Sequence, residues 1–131
     1  MNYLSVGIGG MAGSVLRYLI SLYTINLWSG GFPLGTFIAN MCGCFLLGLL
    51  TGLNEKKEII PKYIMLGVGT GMIGSLTTFS TFSVETFKLY ETASILSAGG
   101  YVFLSAGLGL LLAWSGFYLG KKDSGKAMVN R

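Results

Sequence analysis

The feature that most limits what this chain can fold into is the spacing of its charges. Positions 1–16, 18–54, 63–84 and 92–120 contain no Asp, Glu, Lys or Arg. Each run approaches or exceeds the ~20 apolar residues that cross a bilayer as a helix. The run 18–54 is long enough for the end of one span, a connection and a whole second span. An all-α membrane protein with four transmembrane helices follows, with spans at about 3–23, 33–53, 61–91 and 97–120. They fill residues 1–131 as a single domain. A soluble core would need more surface charge than the 11% present. No basic n-region precedes the first span, so it is read as retained.

The third span is the unusual one. At about 31 residues it is long for one straight helix. Gly69, Gly71 and Gly74 weaken it just before the hydroxyl-rich run Ser75 to Ser83. Freed backbone groups survive inside a bilayer only where protein or a cavity satisfies them. The spacing therefore predicts a helix broken near mid-membrane, where transporters place ion or substrate sites.

Beyond the break, Phe79, Phe82, Ser83 and Thr86 fall at helical spacing on one stripe. A phenyl edge is electropositive, and the hydroxyls of Ser80, Thr81 and Ser83 are donors. Such a lining can replace water around a small anion without holding it too tightly to leave. Taken alone, the two rings read as core packing. Asn40, the main polar residue of the second span, reads from spacing as helix–helix glue, with anion ligation as the alternative. Arg17 is the one cation inside a span; it either snorkels to the interface or shapes a charged vestibule. Tyr101 and Ser105, one turn apart on the fourth span, extend a polar track or bond to a neighbouring helix. Glu85, Lys88 and Glu91 read as solvated span ends, and Lys121 to Arg131 as a frayed charged tail.

Other elements are simpler. Gly9 and Gly13 make a small-residue face for close helix contact. Trp28 reads as an interfacial anchor beside the turn Ser29-Gly30-Gly31, and Pro33 and Pro61 as the openings of the second and third spans. Cys42 and Cys44, two apart on a helix, do not face each other. The absence of His excludes a His-based metal or acid–base centre. No nucleophile–base pair is present, and the reading is not an enzyme. The net charge of +4 comes from residues flanking apolar runs, so it sets topology and does not point to nucleic acid. Lys56, Lys57, Lys62, Lys121, Lys122, Lys126 and Arg131 fall on one side, against Lys88 on the other. Both termini are therefore expected in the cytoplasm of a cell whose inner or plasma membrane the chain crosses.

The run Gly74-Ser75-Leu76-Thr77-Thr78-Phe79-Ser80-Thr81-Phe82-Ser83-Val84-Glu85 resembles the signature of the Fluc/CrcB fluoride channels. Gly35-Thr36-Phe37-Ile38-Ala39-Asn40 resembles that family's second-helix motif, and Gly13-Ser14-Val15-Leu16-Arg17 its first-helix motif. The resemblance implies an antiparallel dimer with two pores and passive fluoride efflux that lowers cytoplasmic fluoride. By position it implies fluoride contacts at Asn40, Phe79 and Phe82. Ser80, Thr81 and Ser83 would belong to the polar lining, and Tyr101 and Ser105 align less surely. It also implies a structural sodium ion at the dimer centre, on the backbone carbonyls of Gly74 and Thr77. One-sided charge sits poorly with a homodimer whose subunits insert both ways, so an oppositely oriented paralogue is the alternative partner. Two other classes compete. A small four-helix multidrug exporter needs an intramembrane carboxylate, and none precedes Glu55. A non-transporting assembly subunit would explain the glycine faces but not the broken third span.

Overall fold

The computed structural model describes residues 2–27, 31–55 and 60–129. Trp28, Ser29-Gly30, Lys56, Lys57 and Arg131, given roles above, lie outside the described residues. The chain forms α1 (Asn2–Leu27), α2 (Leu34–Asn54), a third segment in pieces, and α6 (Ile95–Val129). The third segment comprises α3 (Lys62–Met65), a π-helical stretch (Leu66–Ile73), α4 (Gly74–Leu76) and α5 (Phe79–Thr92). Helices α1 and α2, and α6 as far as Lys122, are long and apolar enough to cross a membrane. Neither half of the third segment is long enough alone.

Helix ends depart from the expected spans in instructive ways. Helix α1 runs on to Leu27 and the α6 backbone stays helical to Val129, where a frayed tail was expected. Bilayer thickness sets the minimum length of a span, not where its backbone must stop. Each proline stands one residue before its helix and does not open it. Pro33 precedes Leu34, and the Pro61 carbonyl accepts from the N–H groups of Ile64 and Met65.

The spacing of the sequence does not anticipate the π-helical stretch. With the turn that follows, it packs against two helices at once: Gly67, Gly71, Met72 and Leu76 meet α1, while Gly69, Ile73 and Thr77 approach α2.

Neighbouring contacts fix the directions. Gly67 lies by Ser5 and Leu76 by Gly13, so α1 and the first half of the third segment run parallel. Gly109 lies by Cys44 and Gly120 by Leu53, so α2 and α6 are parallel as well. Gly43 by Thr77 and Gly69 by Leu50 make α2 antiparallel to the third segment. Ala93 and Ser94 turn the chain tightly between α5 and α6, with both N–H groups on the Leu89 carbonyl. The Ser94 hydroxyl accepts from Ser97 N–H and caps the first turn of α6.

The α2–α6 pair is the most extensively packed. A methyl at Gly48 would strike the Ala113 carbonyl, one at Gly52 that of Phe117, and one at Gly116 that of Phe45. The expected Gly9–Gly13 face works the same way, against the main chain of Gly67 and Met72. At one end Lys121 pairs with Glu55 at 3.0 Å, across the tips of α6 and α2. Large apolar side chains such as Leu4, Met11, Val15, Phe103 and Leu110 remain exposed. That surface suits acyl chains, not water.

A methyl added at Gly116 forces main chain apart, an overpacking of about 1–3 kcal/mol. Gly116→Ala and Gly52→Ala should therefore lower the thermal midpoint in detergent. Gly7→Ala, where a methyl meets nothing within 4 Å, should not lower it. Fluorescence-detected size exclusion after heating reads all three.

Candidate functional site

The third segment breaks at Thr77 and Thr78, both extended, with φ/ψ of −78°/152° and −148°/124°. Asn40 closes the gap. Its Oδ1 accepts from Thr78 N–H at 2.8 Å, and its Nδ2 donates to the Thr78 carbonyl at 3.2 Å. The side-chain amide thus gives the freed Thr78 N–H a partner and adds a bond to the Thr78 carbonyl, which as the N-cap oxygen also accepts the first bond of α5. The glue reading of Asn40 is correct as far as it goes, but it joins side chain to main chain at the break. An amide nitrogen carries two hydrogens, so one remains.

Thr78 then starts α5. Its hydroxyl accepts from Thr81 N–H at 3.2 Å, the N-cap bond. These two diversions have a consequence for the main chain. A continuing helix would send Thr78 N–H to the Gly74 carbonyl and Thr81 N–H to the Thr77 carbonyl. Both donors go elsewhere, so the carbonyls of Gly74 and Thr77 lose their helical partners. The Thr77 hydroxyl bonds Ile73 O at 3.1 Å and stands 3.5 Å from Gly74 O. Two such oxygens form a donor set that suits a hard cation.

A cavity of about 490 Å³ opens beside the break, lined among others by Asn40, Gly74, Thr77, Phe79, Phe82 and Ser105. It is largely apolar, and the Ser105 hydroxyl lies buried without a hydrogen-bond partner among the described residues. Buried hydroxyls nearly always find one, so Ser105 offers an unmet donor and acceptor to whatever enters.

Phe79, Phe82, Ser83 and Thr86 lie at helical spacing along α5, with the Ser83 hydroxyl on the Phe79 carbonyl and the Thr86 hydroxyl on that of Phe82, but they differ in exposure. Phe79 is 80% exposed, whereas Phe82 is half-buried, its ring centroid 5.0 Å from that of Tyr101. The two Phe centroids are 6.1 Å apart with planes at 36°. The inward face of α5 runs through Phe82, Glu85 and Leu89, continuing from Thr78. Tyr101 is 1% exposed and packs edge-on against Phe32 at 5.3 Å.

Glu85 is not a solvated end. It is half-buried, with Thr36 donating to Oε1 at 2.9 Å and Tyr101 donating to Oε2 at 3.3 Å. A second cavity of about 260 Å³ meets it, with Ser21, Thr24 and Thr36 in the wall. Sequence reasoning missed Glu85, Thr36 and Thr78. The available signal was the Thr78, Phe82, Glu85, Leu89 spacing, which an N-cap at Thr78 would have phased.

The remaining expected residues are scattered around this centre. Ser80, Thr81 and Ser83 are exposed on the first turns of α5, outside the larger cavity's lining. The Ser83 hydroxyl donates to the Phe79 carbonyl at 2.9 Å. Arg17 is half-buried on α1 and makes no hydrogen bond or ion pair among the described residues. It does not line the cavity. No cluster of three or more Cys, Asp or Glu able to hold a metal occurs among the described residues.

The sequences of known proteins match this chain along most of its length. Residues 4–117 match the family model described as "CrcB-like protein, Camphor Resistance (CrcB)". A protein of Oceanobacillus iheyensis named "Fluoride-specific ion channel FluC" is 49% identical over 118 residues, 90% of each chain. One of the same name from Desulfotalea psychrophila is 44% identical over 122 residues, covering 93% of this chain and 94% of its own. "Fluoride-specific ion channel FluC 1" of Bacillus thuringiensis subsp. konkukian is 43% identical, covering 90% of this chain and 86% of its own. With its motifs in order, its broken third segment and these relatives, the chain belongs to the CrcB family.

Proposed function

We propose that this chain is a fluoride-specific ion channel that lets fluoride leave the cell down its gradient and so limits its toxicity. The observation that carries the reading is the broken third segment, clamped by Asn40 beside a cavity that gathers Phe79, Phe82 and an unpartnered Ser105 hydroxyl. Relatives bearing the channel's name over most of the chain support it. It is a channel and not an enzyme. In the proposed topology four spans cross the inner or plasma membrane, with both termini in the cytoplasm. The alternating helix directions are consistent with that topology, and the charge bias orients it.

Removing water from a small anion is costly, and the cost falls only if each lost contact is replaced. The second amide hydrogen of Asn40, the Ser105 hydroxyl, donors among Ser80, Thr81 and Ser83, and the electropositive rims of Phe79 and Phe82 would share that work. Tyr101 would act at one remove, holding Phe82 in place while its hydroxyl steadies Glu85. Arg17 would draw anions toward the entrance.

The functional unit is proposed as an antiparallel dimer with two pores, formed with a second copy or an oppositely oriented paralogue. The exposure of Phe79 and Gly74 in the single chain suits a face that a partner covers. The carbonyls of Gly74 and Thr77, relieved of their helical donors, would hold a structural sodium ion there. Its charge would tie the two breaks together. One observation favours the exporter reading, the half-buried carboxylate of Glu85. Both its oxygens are already engaged by hydroxyls of the same chain, which leaves little for a transported cation.

In liposomes read by a fluoride electrode, the wild-type protein should release fluoride electrogenically. Phe79→Ile and Phe82→Ile should each slow release about tenfold or more, the equivalent of ~1.4 kcal/mol, while still assembling. Unchanged rates in both would remove the rings from the route, and pH-driven cation uptake without fluoride release would favour the exporter. Replacing sodium with a bulky organic cation throughout purification should abolish efflux reversibly; full activity without sodium would count against the ion. Accessibility tagging of both termini in cells should find them on the cytoplasmic side. A near-equal split would refute the fixed orientation and favour the homodimer.

A further inference from the structure

The side of α6 turned away from the bundle carries an ordered series of residues that the proposed conduction route does not use. Gly109, Gly116 and Gly120 pack on α2, and Ser105 and Ala106 line the larger cavity. At about 100° per residue, those positions share one side of the helix. Phe103, Gly107, Leu111, Trp114, Tyr118 and Lys122 fall on the opposite side, within an arc of about 100°. All six are exposed.

The series changes character toward the charged end. Phe103 and Leu111 flank Gly107, where a methyl would meet nothing within 4 Å, so the track there is apolar with a notch at its centre. Trp114 and Tyr118 then stack, with centroids 6.1 Å apart and planes at 25°. Neither the indole N–H nor the phenol hydroxyl has a partner among the described residues. Last comes Lys122, where the apolar length of α6 ends. Its neighbour Lys121 is already engaged, 3.0 Å from Glu55 and 5.6 Å from the centre of the Phe117 ring. Lys122 makes no ion pair among the described residues, and position 123 stands about 100° further round the helix. A rise of 1.5 Å per residue puts Lys122 about 6 Å beyond Tyr118 and about 12 Å beyond Trp114. The polar layer of one leaflet is about 5–7 Å thick. A lysine at headgroup level therefore leaves Tyr118 at the base of the headgroups and Trp114 against the first methylenes.

The geometry points to a binding site for one phospholipid with an anionic headgroup, in the leaflet at the Lys122 end of α6. Lys122 meets the net negative charge, Tyr118 and Trp114 donate to headgroup and ester oxygens, and one acyl chain lies over Leu111 and the Gly107 notch. Aromatic rings with one polar edge suit this level of a membrane, and a lysine stem lies along apolar surface while its ammonium stays in the polar layer. Charge selects the lipid class. With Lys121 balanced by Glu55, Lys122 is the cation left over on this face, and one lysine at that level favours an anionic over a zwitterionic lipid about fivefold. The inference rests on the membrane reading of α6 and not on fluoride conduction.

Trp114 is its own reporter. The chain has 2 Trp, so a Trp28→Phe background leaves Trp114 alone, and bromine on an acyl chain quenches it on contact. That parent protein is reconstituted in phosphatidylcholine vesicles holding an equal small fraction of brominated phosphatidylglycerol or brominated phosphatidylcholine. The glycerol lipid should quench about two- to fivefold more efficiently. Lys122→Gln should bring the two lipids level, whereas Lys62→Gln, on α3 at the same end, should leave the ratio unchanged. Equal quenching in the parent overturns the inference, as does a ratio that survives Lys122→Gln. A loss in Lys62→Gln as large as in Lys122→Gln would mean diffuse surface charge and no site. Quenching by neither lipid would put a second copy of the chain over the series and equally removes the lipid. Fluoride release is read from the same vesicles: the expected ratios without release keep the lipid site and remove the channel, and release without them does the reverse.

Discussion

The Asn40 amide, bonded to both main-chain groups of Thr78, is the contact on which the rest of the structure depends. An interrupted helix inside an apolar bundle leaves backbone N–H and C=O groups without partners, and no water is at hand to take them. Asn40 resolves this from a neighbouring helix at a fixed distance. It therefore sets where α4 ends, where α5 begins, and the angle at which Phe79 and Phe82 leave the backbone. Replacing the amide with an apolar group would leave the Thr78 N–H unmet.

Around that contact the chain divides its labour. Parallel pairs, α1 with the first half of the third segment and α2 with α6, are joined main chain to main chain through glycine. Apolar burial does little to drive helices together in a lipid solvent, so such close approach supplies the adhesion. Many bulky residues that would make a soluble core instead face outward; Ile73 and Leu76 are buried, as is a small cluster around Tyr101, Leu89 and Ala98. Buried polar contacts between helices gather at the break and at the Glu85–Thr36–Tyr101 group beside it.

Much of this was legible in the sequence because the governing rules are local. Charge-free runs locate the long apolar helices α1, α2 and α6, glycine followed by hydroxyls locates the break, and the Gly9–Gly13 spacing locates one packing face. What was not legible depended on phase. The π stretch packs against α1 and α2 together, and those contacts emerge only once the partner helices are known. The phase of the Phe79–Phe82 stripe also depends on the cap at Thr78: Phe82 packs on Tyr101 while Phe79 stays exposed, and both line the larger cavity. Glu85 was assigned to solvent because it is charged and near a span end. Its partners, Thr36 and Tyr101, are 49 and 16 residues distant in sequence.

The glycine seams have a bearing on how such a molecule can work at all. Where backbone rests on backbone there is no layer of side chains to repack, and sliding one helix past the other by even a fraction of a turn drives a carbonyl into the opposite strut. A frame of that stiffness is poorly suited to rocking or alternating between two shapes. Whatever crosses it does so through walls that stand still, and discrimination has to be built into the fixed spacing of a few atoms.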